Sequence, residues 1–245
     1  MKKNLLALAF LVGLLTCCKS EDAPIKPVKP TDPGSINKEY MSRAETTFAN
    51  IFKYYWSDKV RMMFGSYPNT LGTPQEPSSP DYDSHAYLWG LGSVVSAFNA
   101  IVQNTDNVDF RMTYESRLKE TLLKYYNTTK EPMCFGCFVN PHDQRLYDDA
   151  IWVGIDLADL YSKTKDSWYL DYAKSVWNFV LSGKDDELGG GVYWDENAKD
   201  SKNTCSNAPA VVLALKLYQI TNDAAYLENG KDIYKWTKSK LQDPS

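Results

Sequence analysis

The chain has 245 residues, of which 43% are hydrophobic and 24% are charged, which is enough for one sizeable globular core and close to the length of a single domain. Its net charge of −4, without a basic cluster, gives no electrostatic reason to expect nucleic acid as a partner. With only two histidines, His85 and His142, the composition argues against a histidine-rich metal site, and no cofactor is implied. The 7 Trp and 17 Tyr are unusual, since such rings stack on sugars, although most aromatic residues of a helical protein belong to its core.

The first residues are typical of an export signal. Two lysines precede an apolar run over residues 5–15, which is too short to span a membrane. The run ends at Cys17 and Cys18, followed by Lys-Ser-Glu-Asp, and resembles the lipobox and surface-export signal of Bacteroidetes lipoproteins. We expect residues 1–18 to be a lipoprotein signal peptide with Cys18 acylated, or alternatively Cys17, which would place the protein at the outer membrane, facing the cell surface or the periplasm. An ordinary secretory signal is the other interpretation.

Beyond this signal, residues 19–36 contain four prolines and predict a stiff, extended tether, while residues 37–245 predict one domain. The domain contains Cys134, Cys137 and Cys205. The first two have CxxC spacing, but no second CxxC completes a zinc site. Either a disulfide or two buried free thiols are compatible with this pattern.

Apolar residues recur at helical spacing along most of the domain, so we predict an all-α fold with short extended pieces only around residues 192–194. The second predicted helix is apolar almost all round and is expected to be buried. The predicted helices cover residues 37–55, 84–104, 110–126, 147–162, 168–181, 207–219 and 224–240.

A repeat orders these helices. The segment Leu160-Tyr161-x-x-Thr164-x-Asp166-x-x-Tyr169-Leu170 returns 57 residues later as Leu217-Tyr218-x-x-Thr221-x-Asp223-x-x-Tyr226-Leu227, with a weaker echo at Thr105. Such recurrence indicates stacked helical hairpins, in which Asp166 and Asp223 cap the second helix of each hairpin.

The loops divide into two kinds, which predicts where function lies. The turns after the second, fourth and sixth helices are short, whereas the loops before them are long and rich in aromatic, polar and Gly residues. The N-terminal ends of these three inner helices should therefore open onto one shared rim. The residues expected there are Asp81, Asp83, His85, Asp148, Asp149, the glycines 189–191, Tyr193, Trp194, Lys202, Asn203 and Asn207.

Asp148 and Asp149 begin the fourth predicted helix, and two interpretations are open. Free N–H groups and the helix dipole favour carboxylates in a first turn, so they could simply cap the helix. They could instead form a catalytic pair, because neighbours on a helix point about 100° apart and can approach one substrate from two directions. Two close carboxylates cannot both ionise cheaply, so their pKa values should separate.

Four motifs together resemble glycoside hydrolase family 76 over roughly residues 40–240. They are Tyr147-Asp148-Asp149-Ala150-Ile151-Trp152, Gly189-Gly190-Gly191-Val192-Tyr193-Trp194, Lys202-Asn203-x-x-Ser206-Asn207 and the Thr-x-Asp-x-x-Tyr-Leu turns. The resemblance implies an (α/α)6 toroid that hydrolyses α-1,6-mannan, as a polysaccharide or oligosaccharide, with retention of configuration. It makes Asp148 the nucleophile and Asp149 the general acid/base with the raised pKa.

By the same resemblance, Tyr193 and Trp194 would stack on the sugar, while Asn203 and Asn207 would hold its hydroxyls. We also expect Tyr147, Trp152 and His85 to contact the substrate. Packing of the groove wall is the other interpretation for Tyr193 and Trp194, and helix capping is the other interpretation for Asn203 and Asn207.

Two features depart from the family pattern. Val153 stands where the family commonly has an aromatic residue. A complete toroid has twelve helices and seven are predicted, so we expect a chain that is truncated relative to the family. A surface lipoprotein of the same fold that binds glycans without cleaving them is the main alternative. Another toroid enzyme, such as a sugar epimerase with a histidine pair or an unsaturated uronyl hydrolase, is the third.

Overall fold

A computed structural model describes residues 33–68, 85–139 and 144–243. The chain divides into two units, Met1–Lys38 and Glu39–Ser245, and the second contains the core and the candidate site. The expected signal peptide with Cys18 and most of the expected tether lie outside the described residues. Asp81, Asp83 and His142 lie outside them too.

The described residues form seven α-helices, which confirms the predicted all-α class, and every helix end falls within four residues of its predicted position. Two antiparallel hairpins of two-residue strands, too short to show an alternating pattern, were not predicted. The elements are α1 (Pro33–Tyr55), β1 (Trp56–Ser57), β2 (Met62–Met63), α2 (Leu88–Asn104), α3 (Val108–Tyr125), β3 (Tyr126–Asn127), β4 (Cys134–Phe135), α4 (Tyr147–Thr164), α5 (Ser167–Ser182), a 3-10 turn (Glu187–Gly189), α6 (Thr204–Thr221) and α7 (Ala224–Leu241).

The helices pack as an inner row and an outer row. In the inner row, α4 lies between α2 and α6, while α5 packs on α4 and α7 packs on α6. Gly154 permits the close approach inside this row, because a Cβ there would lie 2.9 Å from Val176 and 3.1 Å from Leu213. The predicted arrangement of stacked hairpins is therefore found. No described helix has both the length and the apolar character that a membrane crossing requires.

The repeated turns have the predicted capping function. Asp166 begins α5 by accepting a hydrogen bond from the backbone N–H of Trp168 at 3.0 Å, and Asp223 begins α7 by accepting one from Ala225 at 2.9 Å. The weaker echo at Thr105 lies in the equivalent turn between α2 and α3. Three hairpins thus use the same local solution, which explains why the motif recurs.

The prediction that the second helix is buried all round was wrong at its N-terminal end. Leu91 and Phe98 are in the core, but the side chain of Trp89 is 56% exposed and that of Tyr87, just before the helix, is 50% exposed. The ring of Trp89 lines a pocket next to Asp149, and that of Tyr87 packs against Phe138.

Candidate active site

The acid pair lies in the first turn of α4, after Leu146 at the N-cap position. The indole Nε1 of Trp194 donates a hydrogen bond to Oδ2 of Asp148 at 3.1 Å, and the carbonyl of Trp194 accepts one from the N–H of Tyr147 at 2.9 Å. The other oxygen of Asp148, Oδ1, is buried without a hydrogen-bond partner among the described residues. The acid pair and Trp194, 46 residues apart in sequence, are therefore neighbours, as the shared rim requires.

Asp149 faces a different environment. It lines a pocket of about 290 Å³ between α2 and α4, and the other lining residues are Trp89, Gly92, Ser93, Ser96 and Trp152. Burial, helped by the neighbouring carboxyl of Asp148, raises the pKa of Asp149 to about 6, although a hydrogen bond from the Cys137 thiol opposes the rise. The direction is the one expected for the general acid/base of the pair.

The two carboxyl groups can therefore do different chemistry. Asp148 accepts an N–H on one oxygen, and its other oxygen has no partner among the described residues. Asp149 keeps its proton to a higher pH and faces the pocket that contains two indole rings. Glycosidic bond hydrolysis with retention requires two neighbouring carboxyl groups in unequal environments, one to attack and one to donate a proton.

The loop that presents Trp194 depends on its glycines. Gly189, Gly190 and Gly191 have φ angles of +79°, +116° and +79°, a region that other residues rarely adopt. A Cβ on Gly191 would lie 2.5 Å from the ring of Trp236 on α7, so only glycine allows the loop to lie against that helix. The indole of Trp236 also donates to the carbonyl of Leu188 at 3.0 Å.

Lys202 stabilises the same loop, residues 189–194, which we call the glycine loop. Its buried ammonium group donates to the carbonyls of Asp185, Glu187 and Gly190 at 3.1, 2.8 and 2.9 Å. It also lies 4.3 Å from the ring centroid of Tyr193, whose hydroxyl donates to Glu187 at 3.0 Å. Because Tyr193 is only 1% exposed, it packs the loop and does not face the cleft, which corrects the expectation that its ring stacks on sugar.

Asn207 also differs from its expected role. Helix α6 begins at Thr204, three residues earlier than predicted, so Asn207 lies inside the helix and is fully buried. Its Oδ1 accepts from the N–H of Val192 at 2.7 Å, and its Nδ2 donates to the carbonyls of Val192 and Asn203 at 2.8 Å each. The amide therefore fastens the glycine loop to α6, and because it is fully buried it does not face the cleft. Asn203, half-buried at the N-cap position, makes no side-chain cap bond.

Two further residues of the acid-pair motif belong to the core. Tyr147 is 1% exposed and stacks on Phe179 with ring centroids 4.3 Å apart, which corrects its expected contact with substrate. Val153 is fully buried and faces Gly92 of α2. The departure from the family pattern at Val153 therefore changes helix packing and not a wall of the cleft.

Arg145 was missed by the sequence analysis. Its side chain is fully buried, lies over the ring of Phe179, and pairs with Glu196, to which Nε donates at 2.8 Å. It also donates to the carbonyls of Lys130 and Pro132 at 3.1 and 2.7 Å. Arg145 thus ties the loop before α4 to the loop after Trp194. No sequence signal distinguishes such an arginine from an exposed one.

The other two residues expected to contact substrate, Trp152 and His85, line two different pockets. Trp152, 41% exposed, lines the pocket of Asp149, as expected for a residue that could contact sugar. His85 lines a second pocket of about 570 Å³, and Trp89, which the sequence analysis placed in the core, lines both. Cys134 and Cys137 are buried free thiols. Cys205 is exposed and lies next to Asp148; partial burial of its thiol, and then the negative charge of Asp148, raise the pKa of that thiol.

A row of inner helices with an acid pair and tryptophans at their N-terminal ends is the arrangement expected of a glycoside hydrolase with a helical toroid. A family model agrees: that of glycosyl hydrolase family 76 matches residues 39–245, and the chain belongs to this family. Among curated proteins, none matches the chain significantly.

Solved structures of the family have the same fold. A family 76 glycoside hydrolase from a bovine Bacteroides thetaiotaomicron strain is 30% identical, with a TM-score of 0.72 over 83% of this chain and 43% of its own. A family 76 mannosidase from Bacteroides thetaiotaomicron is 25% identical, with a TM-score of 0.72 over 84% of this chain and 55% of its own. An α-1,6-mannanase from a Salegentibacter species, 24% identical, has a TM-score of 0.64 over 85% and 53%. The chain thus spans about half the length of the solved structures it matches.

Proposed function

We propose that this chain carries the catalytic pair of a retaining glycoside hydrolase that cleaves the α-1,6-linked backbone of mannan, with Asp148 as the nucleophile and Asp149 as the general acid/base. The observation that carries the proposal is the unequal environment of two adjacent carboxyl groups. Asp148 accepts a hydrogen bond from Trp194, whereas burial in a pocket raises the pKa of Asp149 to about 6.

The proposed reaction follows from these environments. Asp148 attacks the anomeric carbon while Asp149 gives its proton to the departing glycosidic oxygen, which leaves a covalent glycosyl-enzyme ester on Asp148. Asp149, now ionised, takes a proton from water as that water attacks the same carbon and releases the Asp148 carboxylate. Its pKa near 6 suits both steps close to neutral pH, since each step needs the opposite protonation state.

The substrate class is supported by the relatives and by the walls of the pocket. The Salegentibacter α-1,6-mannanase, as an inactive variant, has been solved in complex with α-1,6-mannotetraose. In this chain the exposed rings of Trp89 and Trp152 flank Asp149 across a floor of small residues. Indole rings offer apolar faces to the C–H side of a sugar, while the small residues leave room for it.

A glycan-binding protein without turnover is the second candidate. It is favoured by the match to only about half the length of the solved relatives, since a partial groove can hold a sugar chain without positioning it for cleavage. The two candidates differ in a single assay. Release of reducing ends from linear α-1,6-mannan supports the hydrolase, whereas retention on immobilised mannan without such release supports the binding protein.

Substitution of the nucleophile tests the assignment. We expect Asp148→Asn to lower turnover of α-1,6-mannan by more than about 10⁴-fold, the scale of losses when a covalent nucleophile is removed. Asp171→Asn, an equal change at an exposed position on α5, should leave turnover unaltered. Equal activity of the Asp148 variant and the unchanged protein would refute the assignment, provided that circular dichroism shows both folded.

We also propose that the protein is an outer-membrane lipoprotein acylated at Cys18, which would hold the hydrolase near mannan outside the cell. Support comes from the apolar run that ends at this cysteine. Metabolic labelling with palmitate should mark the protein, and Cys18→Ser should abolish the label. A persistent label would move the assignment to Cys17.

A further inference from the structure

A buried carboxyl group that the proposed reaction does not use lies between the inner helices α2 and α4. Asp156 is on α4, seven residues and about two turns after Asp149, and is only 7% exposed. One of its oxygens, Oδ2, accepts a hydrogen bond from the hydroxyl of Ser96, and the other, Oδ1, accepts one from Nδ2 of Asn99 at 2.8 Å. Both partners belong to α2, so Asp156 joins the two helices below the acid pair.

A backbone carbonyl determines the direction of these hydrogen bonds. Nε2 of Gln103 donates to the carbonyl of Asp159 at 3.0 Å, and a carbonyl oxygen can only accept. The same nitrogen donates to Oδ1 of Asn99 at 3.0 Å, so Asn99 must present its Nδ2 to Asp156. Burial raises the pKa of Asp156, whereas the hydrogen bonds from Ser96 and Asn99 favour the carboxylate. A carboxylate has no proton to give, so Ser96 donates to it.

Ser96 brings this direction into the pocket of Asp149, which it lines. A serine hydroxyl has one proton and two lone pairs, and because the proton of Ser96 points to Asp156, only lone pairs remain for a ligand. Ser93 lines the same pocket, and its hydroxyl donates to the carbonyl of Trp89 at 3.3 Å. Both serines among the described residues that line the pocket therefore offer acceptors only.

We propose that Asp156 is a positioning residue that sets the hydrogen-bonding specificity of the pocket beside Asp149. By taking the proton of Ser96, it leaves the pocket with an oxygen that accepts, so the pocket prefers a hydroxyl group, which can donate, to a substituent of similar size that cannot. Asp156 acts through Ser96 and does not itself touch the ligand. The inference rests on the proposed function, since its ligand is a fragment of α-1,6-mannan.

Asp156→Asn should reverse this preference with almost no change in volume. Asn99 still presents its Nδ2, so the oxygen of the new amide must face Asn99. The nitrogen of the new amide then faces Ser96 and donates to it. The proton of Ser96 is thereby released and can turn toward the pocket, which now offers a donor.

Fluorinated ligands measure the preference, because fluorine resembles a hydroxyl group in size but cannot donate a hydrogen bond. The parent is the Asp148→Asn protein, which should not cleave its ligand. Calorimetry compares α-1,6-mannobiose with analogues in which one hydroxyl group, at C2, C3 or C4 of either ring, is replaced by fluorine. We expect one analogue to bind the parent about three- to tenfold more weakly than mannobiose, the loss expected for one neutral hydrogen bond. In the parent that also carries Asp156→Asn, this penalty should fall below about twofold.

Two outcomes of this comparison would overturn the proposal. One is a fluorine penalty that is the same with and without Asp156→Asn, or that is missing from the parent for every analogue. The other is an equal loss of affinity for all ligands in the Asp156→Asn variant, which would give Asp156 a structural role alone. Asp159→Asn is the matched control, since Asp159 is on the same helix and pairs with Lys216 at 2.5 Å but does not bond Ser96. It should keep the full penalty.

A double-substitution cycle tests whether Asp156 acts through Ser96. Ser96→Ala in the parent should abolish the fluorine penalty by itself, and Asp156→Asn added to Ser96→Ala should change the preference no further. A penalty that persists in Ser96→Ala would refute the proposal, even if Asp156→Asn does not fold. A further change on adding Asp156→Asn would refute it as well.

Failure of this inference can be told from failure of the proposed function. If the unchanged protein does not cleave α-1,6-mannan and the parent does not bind mannobiose, the mannan assignment falls and the role of Asp156 falls with it. If the unchanged protein cleaves mannan and the parent binds mannobiose, but the fluorine penalty does not depend on Asp156, only the role of Asp156 falls.

Discussion

Two sets of buried polar side chains near the acid pair differ in how fully they are hydrogen-bonded. Near α4 and α6, the guanidinium of Arg145 makes four hydrogen bonds and Asn207 makes three. The ammonium of Lys202 shares its three N–H groups among four acceptor oxygens. On the side of α1 and α2, the two nitrogens of His85 have no partner among the described residues. The hydrogen bonds of Arg145, Lys202 and Asn207 hold the loop that presents Trp194 to Asp148, and we call these three side chains the mount; the ring of His85 has no comparable bonds.

Removal of the buried guanidinium of Arg145 should cause the largest loss of stability. Arg145→Met would leave Glu196 with only the ion pair to Lys130 at 3.0 Å and would leave two carbonyls without their donor. We expect the free energy of unfolding to fall by about 3 kcal/mol, the lower end of the scale for breaking a buried ion pair. Chemical denaturation measures this loss. Arg61→Met is the matched control, because its ion pair with Glu120 is exposed and should contribute less than about 1 kcal/mol. Equal losses in the two variants would mean that Arg145 does not stabilise the mount.

The glycine loop allows a more specific test, because Gly189 and Gly191 have the same φ of +79° but different neighbours. A Cβ on Gly191 would meet the Trp236 ring at 2.5 Å, whereas one on Gly189 has only the end of Lys240 at 3.8 Å. Gly189→Ala should cost about 1–2 kcal/mol of unfolding free energy for the left-handed backbone alone. Gly191→Ala should cost about 1–3 kcal/mol more for the clash.

Thermal unfolding of the two glycine variants checks this order. The tryptophan fluorescence of the Gly191 variant should also change, since both Trp194 and Trp236 depend on the loop position. If the two variants melt together, the contact with Trp236 is not what requires glycine.

Substitution of Asp149 should change stability less than Arg145→Met or Gly191→Ala, and in the opposite direction. Its pKa is raised from 3.8 to about 6, so folding binds a proton, and stability is greatest below the lower value and is lost as the pH rises through 6. The penalty at pH 7 is roughly 2–3 kcal/mol at one pKa unit per 1.36 kcal/mol. Asp149→Asn should therefore be more stable than the unchanged protein at pH 7, by about 1–2 kcal/mol after relaxation, and should lose this advantage at pH 4.

The same substitution should lower turnover by about 10²–10⁴-fold, the usual contribution of a general acid/base. In the unchanged protein, kcat/KM should decline above pH 6 as Asp149 loses its proton. Unfolding curves at pH 4 and pH 7, together with the pH profile of activity, measure both effects. A stability difference between Asp149→Asn and the unchanged protein that is the same at the two pH values would contradict the raised pKa.

Part of this picture follows from local sequence. Helical spacing predicted seven helices with ends accurate to a few residues, and the Thr-x-Asp repeat predicted the hairpins and their caps at Asp166 and Asp223, because these signals depend on residues close together in the chain. The neighbourhood of Asp148 and Trp194 also followed, since stacked hairpins bring equivalent helix ends to one rim.

The direction in which a side chain points could not be predicted in this way. Tyr147, Tyr193 and Asn207 are typical of sugar contacts by residue type, yet each is at most 1% exposed. Trp89 is typical of a core by residue type, yet its ring is more than half exposed. Asn207 lies inside α6, which begins three residues earlier than predicted, and its amide bonds the backbone of Val192 in a segment 15 residues away.

The sequence by itself determined the helices, the capped turns, the adjacent carboxyl groups and the family, because each depends on residue type and on spacing along the chain. Only the tertiary structure decided that Asp149 has the raised pKa, that Arg145 and Lys202 are buried, and that His85 faces a pocket with unpaired nitrogens. Burial and hydrogen-bond partners are set by segments far apart in sequence, and the free energy of a charged or polar group depends on those partners more than on the residue itself.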